Sequence, residues 1–193
     1  MELVAAVVTG FGLAGAAGLN AYIPLLVVGL LDRFEVIALA HPYDVLSSTV
    51  VLIVLGVLFL IEVLVDKIPA VDTINDAIQT VIRPVAGALL FAGSTGALTS
   101  SPDWLLFVAG LLAAGGVHAT KTTVRPAVNV STAGVGAPVL STIEDIVSAI
   151  ASILAVLAPA LLILFVALVV WSAWRVLKRF QRRLGRPAST SGA

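Results

Sequence analysis

The chain has 193 residues, 60% of them hydrophobic and only 11% charged, which excludes an ordinary water-soluble domain: a fold this small cannot hide so much apolar surface. Eleven Lys and Arg offset eleven Asp and Glu, so net charge makes no case for nucleic acid. With no cysteine there is no disulfide framework, thiolate nucleophile or thiolate-held metal.

A mean hydropathy of +1.12, carried in long runs, predicts an all-α, polytopic bundle of about six membrane segments with kinked or broken helices. The first run, Leu3 to Leu31, contains Gly10, Gly12, Gly15, Gly18, Asn20 and Pro24. That composition predicts close packing and a kink or break near its middle. No Lys or Arg precedes Arg33, so the run reads as a retained span and not as a cleaved signal peptide. A polar connection from Asp32 to Asp44 leads to a second span, Val45 to Val65, whose one charge is Glu62.

From Asp66 to Arg83 the pattern changes. Asp72, Asp76, Gln79 and Arg83 recur at helical spacing, opposite Ile74, Ile78, Val81 and Ile82, an amphipathic helix that lies at the interface or lines the bundle interior. Pro84 to Gly96 is short for a span and reads as its continuation, kinked at Pro84. A fourth span covers Trp104 to Ala119. The following stretch, Val117 to Pro138, is rich in Thr, Ser, Gly and Pro and carries Lys121 and Arg125; it predicts a partly buried irregular segment. Beyond it Ser141, Asp145, Ser148 and Ser152 form a polar stripe, and Pro159 precedes a final span ending at Trp171 and Trp174.

Six basic residues, Arg175, Lys178, Arg179, Arg182, Arg183 and Arg186, follow that span with no acidic residue after them. The positive-inside rule puts this end in the cytoplasm. Six passes then place both termini inside; four passes with two interfacial helices is the rival arrangement. The division expected is a transmembrane domain over 1–178 and a basic tail over 179–193.

The halves resemble each other. Gly12 to Ala21 aligns with Gly110 to Ala119 in five of ten positions, and Leu60 to Val65 aligns with Thr142 to Val147, setting Glu62 opposite Glu144. Units of 1–98 and 103–178 would form an inverted three-helix repeat, the architecture in which secondary transporters place a site between broken helices.

Ionisable groups inside a bundle are costly and point to function. The candidate substrate-binding set is Asn20, Glu62, Asp66, Lys67, Arg83, His118, Lys121, Arg125, Asn129 and Glu144. Lys121 and Arg125, four apart, share a face if that turn is helical and could clamp a phosphate or carboxylate. The competing reading has the basic groups snorkelling to headgroups and the acids pairing with them to hold helices together. No nucleophile-base cluster, acidic metal-binding repeat or phosphate-loop pattern is present, so neither an enzyme nor a cofactor is expected.

Three unusual phrases, GLNAYIPLL at Gly18 to Leu26, DKIPAVD at Asp66 to Asp72 and RPAVNVSTAG at Arg125 to Gly134, resemble an uncharacterised bacterial integral membrane family, the domain of unknown function family numbered 4126. The resemblance covers nearly all the chain up to the tail. It implies a bacterial inner (plasma) membrane location and supplies no substrate or catalytic residue. The residues lead to a small transporter or flippase for an anionic or lipid-linked phosphate solute, with alternating access around a polar intramembrane pocket. A membrane scaffold or accessory subunit, or an ion channel, stands as the alternative. Membrane lipids are partners in each case, and the Gly- and Ala-rich surfaces suit a homo-oligomer.

Overall fold

The local chemistry of the first run dictates two helices. In the computed structural model, which describes residues 2–39, 41–66, 69–95, 102–132 and 136–184, α1 (Glu2–Leu19) stops at Asn20 and α2 (Tyr22–Arg33) begins at once. The Asn20 side-chain oxygen accepts from the backbone N–H of Tyr22 at 3.0 Å and of Ile23 at 3.1 Å, taking two donors that a new helix leaves without partners. Pro24 sits in the first turn of α2, where its missing N–H costs nothing. The break expected in the middle of this run is present. It is also a reversal: Tyr22 meets Gln79, whereas Gly29 meets Leu46, whose short 3-10 turn (Tyr43–Ser47) packs on Gly93.

Five more helices follow: α3 (Thr49–Val65), α4 (Pro69–Thr95), α5 (Asp103–Ser131), α6 (Gly136–Leu157) and α7 (Pro159–Leu184). Ser48 caps α3 by accepting from Val51 N–H. Among the described residues, five helices carry stretches long and apolar enough to cross a membrane, in α1, α4, α5, α6 and α7, and α3 is a shorter apolar helix. The chain is therefore a multi-pass, all-α membrane bundle. Its first apolar run is not one pass, which corrects the six-segment expectation.

The centre of the bundle is α1, α4 and α5, and it is built on small residues. A Cβ added at Gly110 would lie 2.4 Å from the Gly87 carbonyl oxygen, one at Gly87 would lie 2.3 Å from the Ala114 Cβ, and one at Gly18 would lie 2.5 Å from the Ala114 carbonyl oxygen. Backbones this close gain dispersion contact that lipid cannot supply. α6 closes the side, where Ser148 donates to the Ala16 carbonyl at 3.0 Å and Thr9 donates to the Ala155 carbonyl at 2.6 Å.

Amphipathic readings place the polar faces correctly. On α4, Gln79 and Arg83 are buried while Ile78 and Val81 point outward; the helix lines the interior and continues through Pro84. On α6, Ser141, Ser148 and Ser152 are buried and Ile143, Ile146, Ile150 and Ile153 face out.

Two expectations are overturned. Over its described residues the stretch from Val117 to Pro138 is largely helical: α5 continues through Pro126 to Ser131 and α6 begins at Gly136, while 133–135 lie outside the described residues. Its Thr side chains fold back on the helix, with Thr120 donating to the Gly116 carbonyl and Thr122 and Thr123 to that of Ala119. The helical turn also aims Lys121 and Arg125 at acids on other helices, and such tertiary pairing outweighs weak local propensity. The inverted three-helix repeat is likewise unsupported. α1 and α5 run the same way, since Gly18 meets Ala114 and the Leu19 carbonyl meets Lys121. α3 and α6 run opposite ways, because Glu62 and Glu144 lie at one end of the bundle while Leu52 and Ala155 lie toward the other. One inversion cannot relate both pairs of matching blocks.

Candidate functional site

Where α1 breaks, α3 to α6 deliver charged side chains to a common buried region. Arg83 on α4, with a side chain 0% exposed, donates from Nη2 to Glu62 Oε1 on α3 at 2.8 Å. Its Nη1 lies 3.1 Å from His118 Nδ1 on α5, and His118 Nε2 lies 3.1 Å from the Thr80 hydroxyl. A guanidinium only donates, so Nδ1 accepts and the ring proton sits on Nε2. Thr80 accepts that proton because its own hydroxyl donates to the Asp76 carbonyl at 2.8 Å.

One helical turn further along α5 the charges branch. Lys121 Nζ lies 2.8 Å from Glu144 Oε2 on α6 and donates to the Leu19 carbonyl, at the broken end of α1, at 2.9 Å. Arg125 reaches Glu144 Oε2 at 3.0 Å, Asp76 Oδ2 at 3.3 Å and Asp66 Oδ2 at 3.4 Å. Ser141 donates to the same Asp66 oxygen at 2.6 Å. Asn20, besides starting α2, donates from Nδ2 to Asp145 Oδ1 at 2.9 Å. The Leu19 carbonyl, left open where α1 ends, is thus met by a cation and the opening of α2 by an amide.

Five carboxylates, Glu62, Asp66, Asp76, Glu144 and Asp145, face three cations, Arg83, Lys121 and Arg125. They share a region that water barely reaches, with Arg83, Glu62 and Asp66 at 2% exposure or less. Several buried polar atoms, Glu62 Oε2, Asp76 Oδ1, Gln79 Oε1 and Arg83 Nε, have no hydrogen-bond partner among the described residues. Each such atom carries a desolvation cost that a bound water or solute would relieve. Among the described residues no three His, Asp or Glu side chains are grouped to hold a metal ion.

Eight of the ten residues singled out from the sequence meet here: Asn20, Glu62, Asp66, Arg83, His118, Lys121, Arg125 and Glu144. Lys67, together with the side chains of Asn129 and Asp72, lies outside the described residues. Asp76, Gln79, Ser141 and Asp145 complete the region; they stand outside the ten residues, and the polar stripes of α4 and α6 are the sequence signal that carries them. Tyr22, whose hydroxyl accepts from Gln79 Nε2 at 3.4 Å, gave no signal of its own. Lys121 and Arg125 do share a helical face, and carboxylates already occupy it.

The family model described as Domain of unknown function (DUF4126) matches residues 7–179, and the chain belongs to this family. The match begins within α1 and ends within α7, so it spans every residue of the buried network. No curated protein and no solved structure matches the chain.

Proposed function

We propose that this member of the family is a small transporter or flippase for an anionic or lipid-linked phosphate solute, and that the buried network is where the solute is handled. The observation that supports this reading is that each cation is bound by carboxylates from other helices. Apolar side chains would hold the helices together as well or better, because ion pairs recover their desolvation cost only in part. A network whose partners can be exchanged has a use that packing does not. Here Glu144 and Asp66 occupy the positions on Lys121 and Arg125 that phosphate oxygens would take.

A phosphate that takes over Lys121 and Arg125 would release Glu144 and Asp66 from those cations. Arg125 suits a phosphate because its donors form a planar fork, and Lys121 adds a mobile charge. The reversal at Asn20 is the element whose rearrangement would open the network to one face or the other.

The basic residues are spread unequally between the ends of the bundle. Toward the end where α4 finishes, Arg33 is the one Lys or Arg among the described residues, beside Glu2, Asp32, Asp44 and Asp103, whereas Arg83, Lys121 and Arg125 in the network and Arg175 and Lys178 on the last turns of α7 lie toward the other end. By the positive-inside rule the network end and the C-terminus face the cytoplasm of a bacterial inner membrane, with the start of α1 on the opposite face. That arrangement replaces the reading with both termini inside.

Proteoliposomes test the proposal with two probes, inorganic phosphate for uptake and a fluorescent prenyl phosphate for transfer between leaflets. The wild-type protein should move one of them at least tenfold faster than empty liposomes do, and Arg125→Gln should abolish the movement. Failure of both probes, or rates that Arg125→Gln leaves unchanged, would contradict the proposal. The near-complete pairing of charges favours a second reading, a static scaffold, and that reading predicts no movement of either probe.

A further inference from the structure

At the end of the bundle away from the network, α1, α2, α4 and the segment around Tyr43, with Val156 and Pro159, border a half-open cavity of about 510 Å³. Ala5, Ala6, Ala38 and Gly93 make the room, and Leu13, Val28 and Leu90 line the deeper wall. Two hydroxyls on the lining are already committed to backbone carbonyls, Thr9 to that of Ala155 and Ser94 to that of Phe91. Apart from Glu2 and the Tyr43 phenol, the remaining lining side chains are apolar. A volume in the range of small-molecule sites, with an apolar lining and few polar groups, suits an apolar ligand, whereas water gains little there.

Among the described residues, the one charged side chain that lines this cavity is acidic. Glu2 lines it, no Lys or Arg does so among the described residues, and the Tyr43 phenol stands near Asp103. Burial, with a smaller contribution from Asp103, pushes that phenol above its ordinary pKa, so it stays protonated as a donor. Asp44 follows Tyr43 in the chain, and Asp32 holds the Leu39 N–H at 2.7 Å behind the lining. The nearby cation, Arg33, is engaged by the Ser47 carbonyl.

We propose that the cavity holds one acyl chain of a membrane phospholipid with an amine-bearing headgroup of the ethanolamine type, its ammonium beside Glu2 and its phosphate within reach of the Tyr43 hydroxyl. The acidic surroundings disfavour a purely anionic headgroup. This site is separate from the network and does not rest on the transport reading.

The full chain, delipidated and reconstituted in nanodiscs of equal phosphatidylethanolamine and phosphatidylglycerol with matched acyl chains, is then released into mild detergent for native mass spectrometry. One phosphatidylethanolamine per chain should remain bound, with at least a tenfold preference over phosphatidylglycerol. Ala6→Leu, which fills the cavity, should cut retention at least tenfold while the thermal melt shows a folded protein. Glu2→Gln, at an exposed position with no packing role, should reduce the headgroup preference threefold or more and provides the deciding comparison should Ala6→Leu not fold. No retained lipid, equal retention of the two lipids, wild-type retention by a folded Ala6→Leu, or an unchanged preference in Glu2→Gln would overturn the proposal.

Discussion

Replacing Arg83 with leucine should destabilise the folded chain by about 3–5 kcal/mol, the cost of leaving a buried carboxylate without its partner. The Arg83 side chain is completely enclosed, and its Nη2 lies 2.8 Å from Glu62 Oε1. Without the guanidinium, Glu62 has no other cation within ion-pair distance among the described residues, and His118 loses the donor to its Nδ1. The double variant Glu62→Leu/Arg83→Leu should recover most of that loss, because two apolar side chains of similar reach need no mutual satisfaction. Unfolding in mild detergent micelles, run as a double-mutant cycle, checks both statements. A folded double variant that no longer transports would separate the network's use from its contribution to stability. Equal destabilisation in the single and double variants would mean that the pair is held by its surroundings and not by mutual attraction.

Gly110→Leu should be at least as damaging, with a loss of 3 kcal/mol or more, since overpacking alone costs about 1–3 kcal/mol and here the obstacle is backbone. The first added carbon would fall 2.4 Å from the Gly87 oxygen and 2.8 Å from the Ala88 Cα. Neither atom can rotate away, so α4 and α5 must separate, and with them the Arg83–His118 and Asp76–Arg125 contacts that bridge the same two helices. Gly116 supplies the control. A Cβ there meets nothing within 4 Å, and Gly116→Ala should stabilise by about 0.5–1 kcal/mol through helix propensity alone. Thermal melts of the two variants in one detergent test the contrast, which vanishes if the close approach of α4 and α5 does not limit stability.

The helices were legible wherever one physical signal dominated. Long apolar runs marked the spans, and polar stripes at helical spacing on α4 and α6 marked the faces turned inward. Asn20 and Pro24 together announced the break between α1 and α2. The reversal at that break was not legible, because an amide that restarts a helix looks the same whether the new helix continues or doubles back. α5 was misread from Val117 onward for a related reason. Thr, Gly and Pro are weak helix formers, and what keeps them helical is the set of carboxylates on α3, α4 and α6 that Lys121 and Arg125 reach.

The same cause explains the site. Polar and charged residues inside apolar sequence identify themselves as a group, since each is costly there, and six charged ones, with Asn20 and His118, meet in the fold. Their partnerships were hidden, because Asp66 and Ser141 are 75 residues apart and Asn20 and Asp145 are 125 apart. Asp76 and Asp145 looked like parts of amphipathic stripes and gave no hint of which cation or amide they face. Matching sequence blocks suggested a repeat because Gly- and Ala-rich helices converge on similar text whenever they pack closely.

Whether solute and solvent reach the network is tested most directly at Ser141, which is 1% exposed and donates to Asp66. The chain has no cysteine of its own, so Ser141→Cys places a single, nearly isosteric thiol at the centre of the charges. A membrane-impermeant thiol reagent, applied to sealed right-side-out and inverted vesicles, should label it from both faces, and phosphate or a prenyl phosphate should block the labelling. A thiol that stays inert from both faces, or reacts from one face only regardless of added anion, would contradict a transport pathway through the network and leave it as the bond between helices.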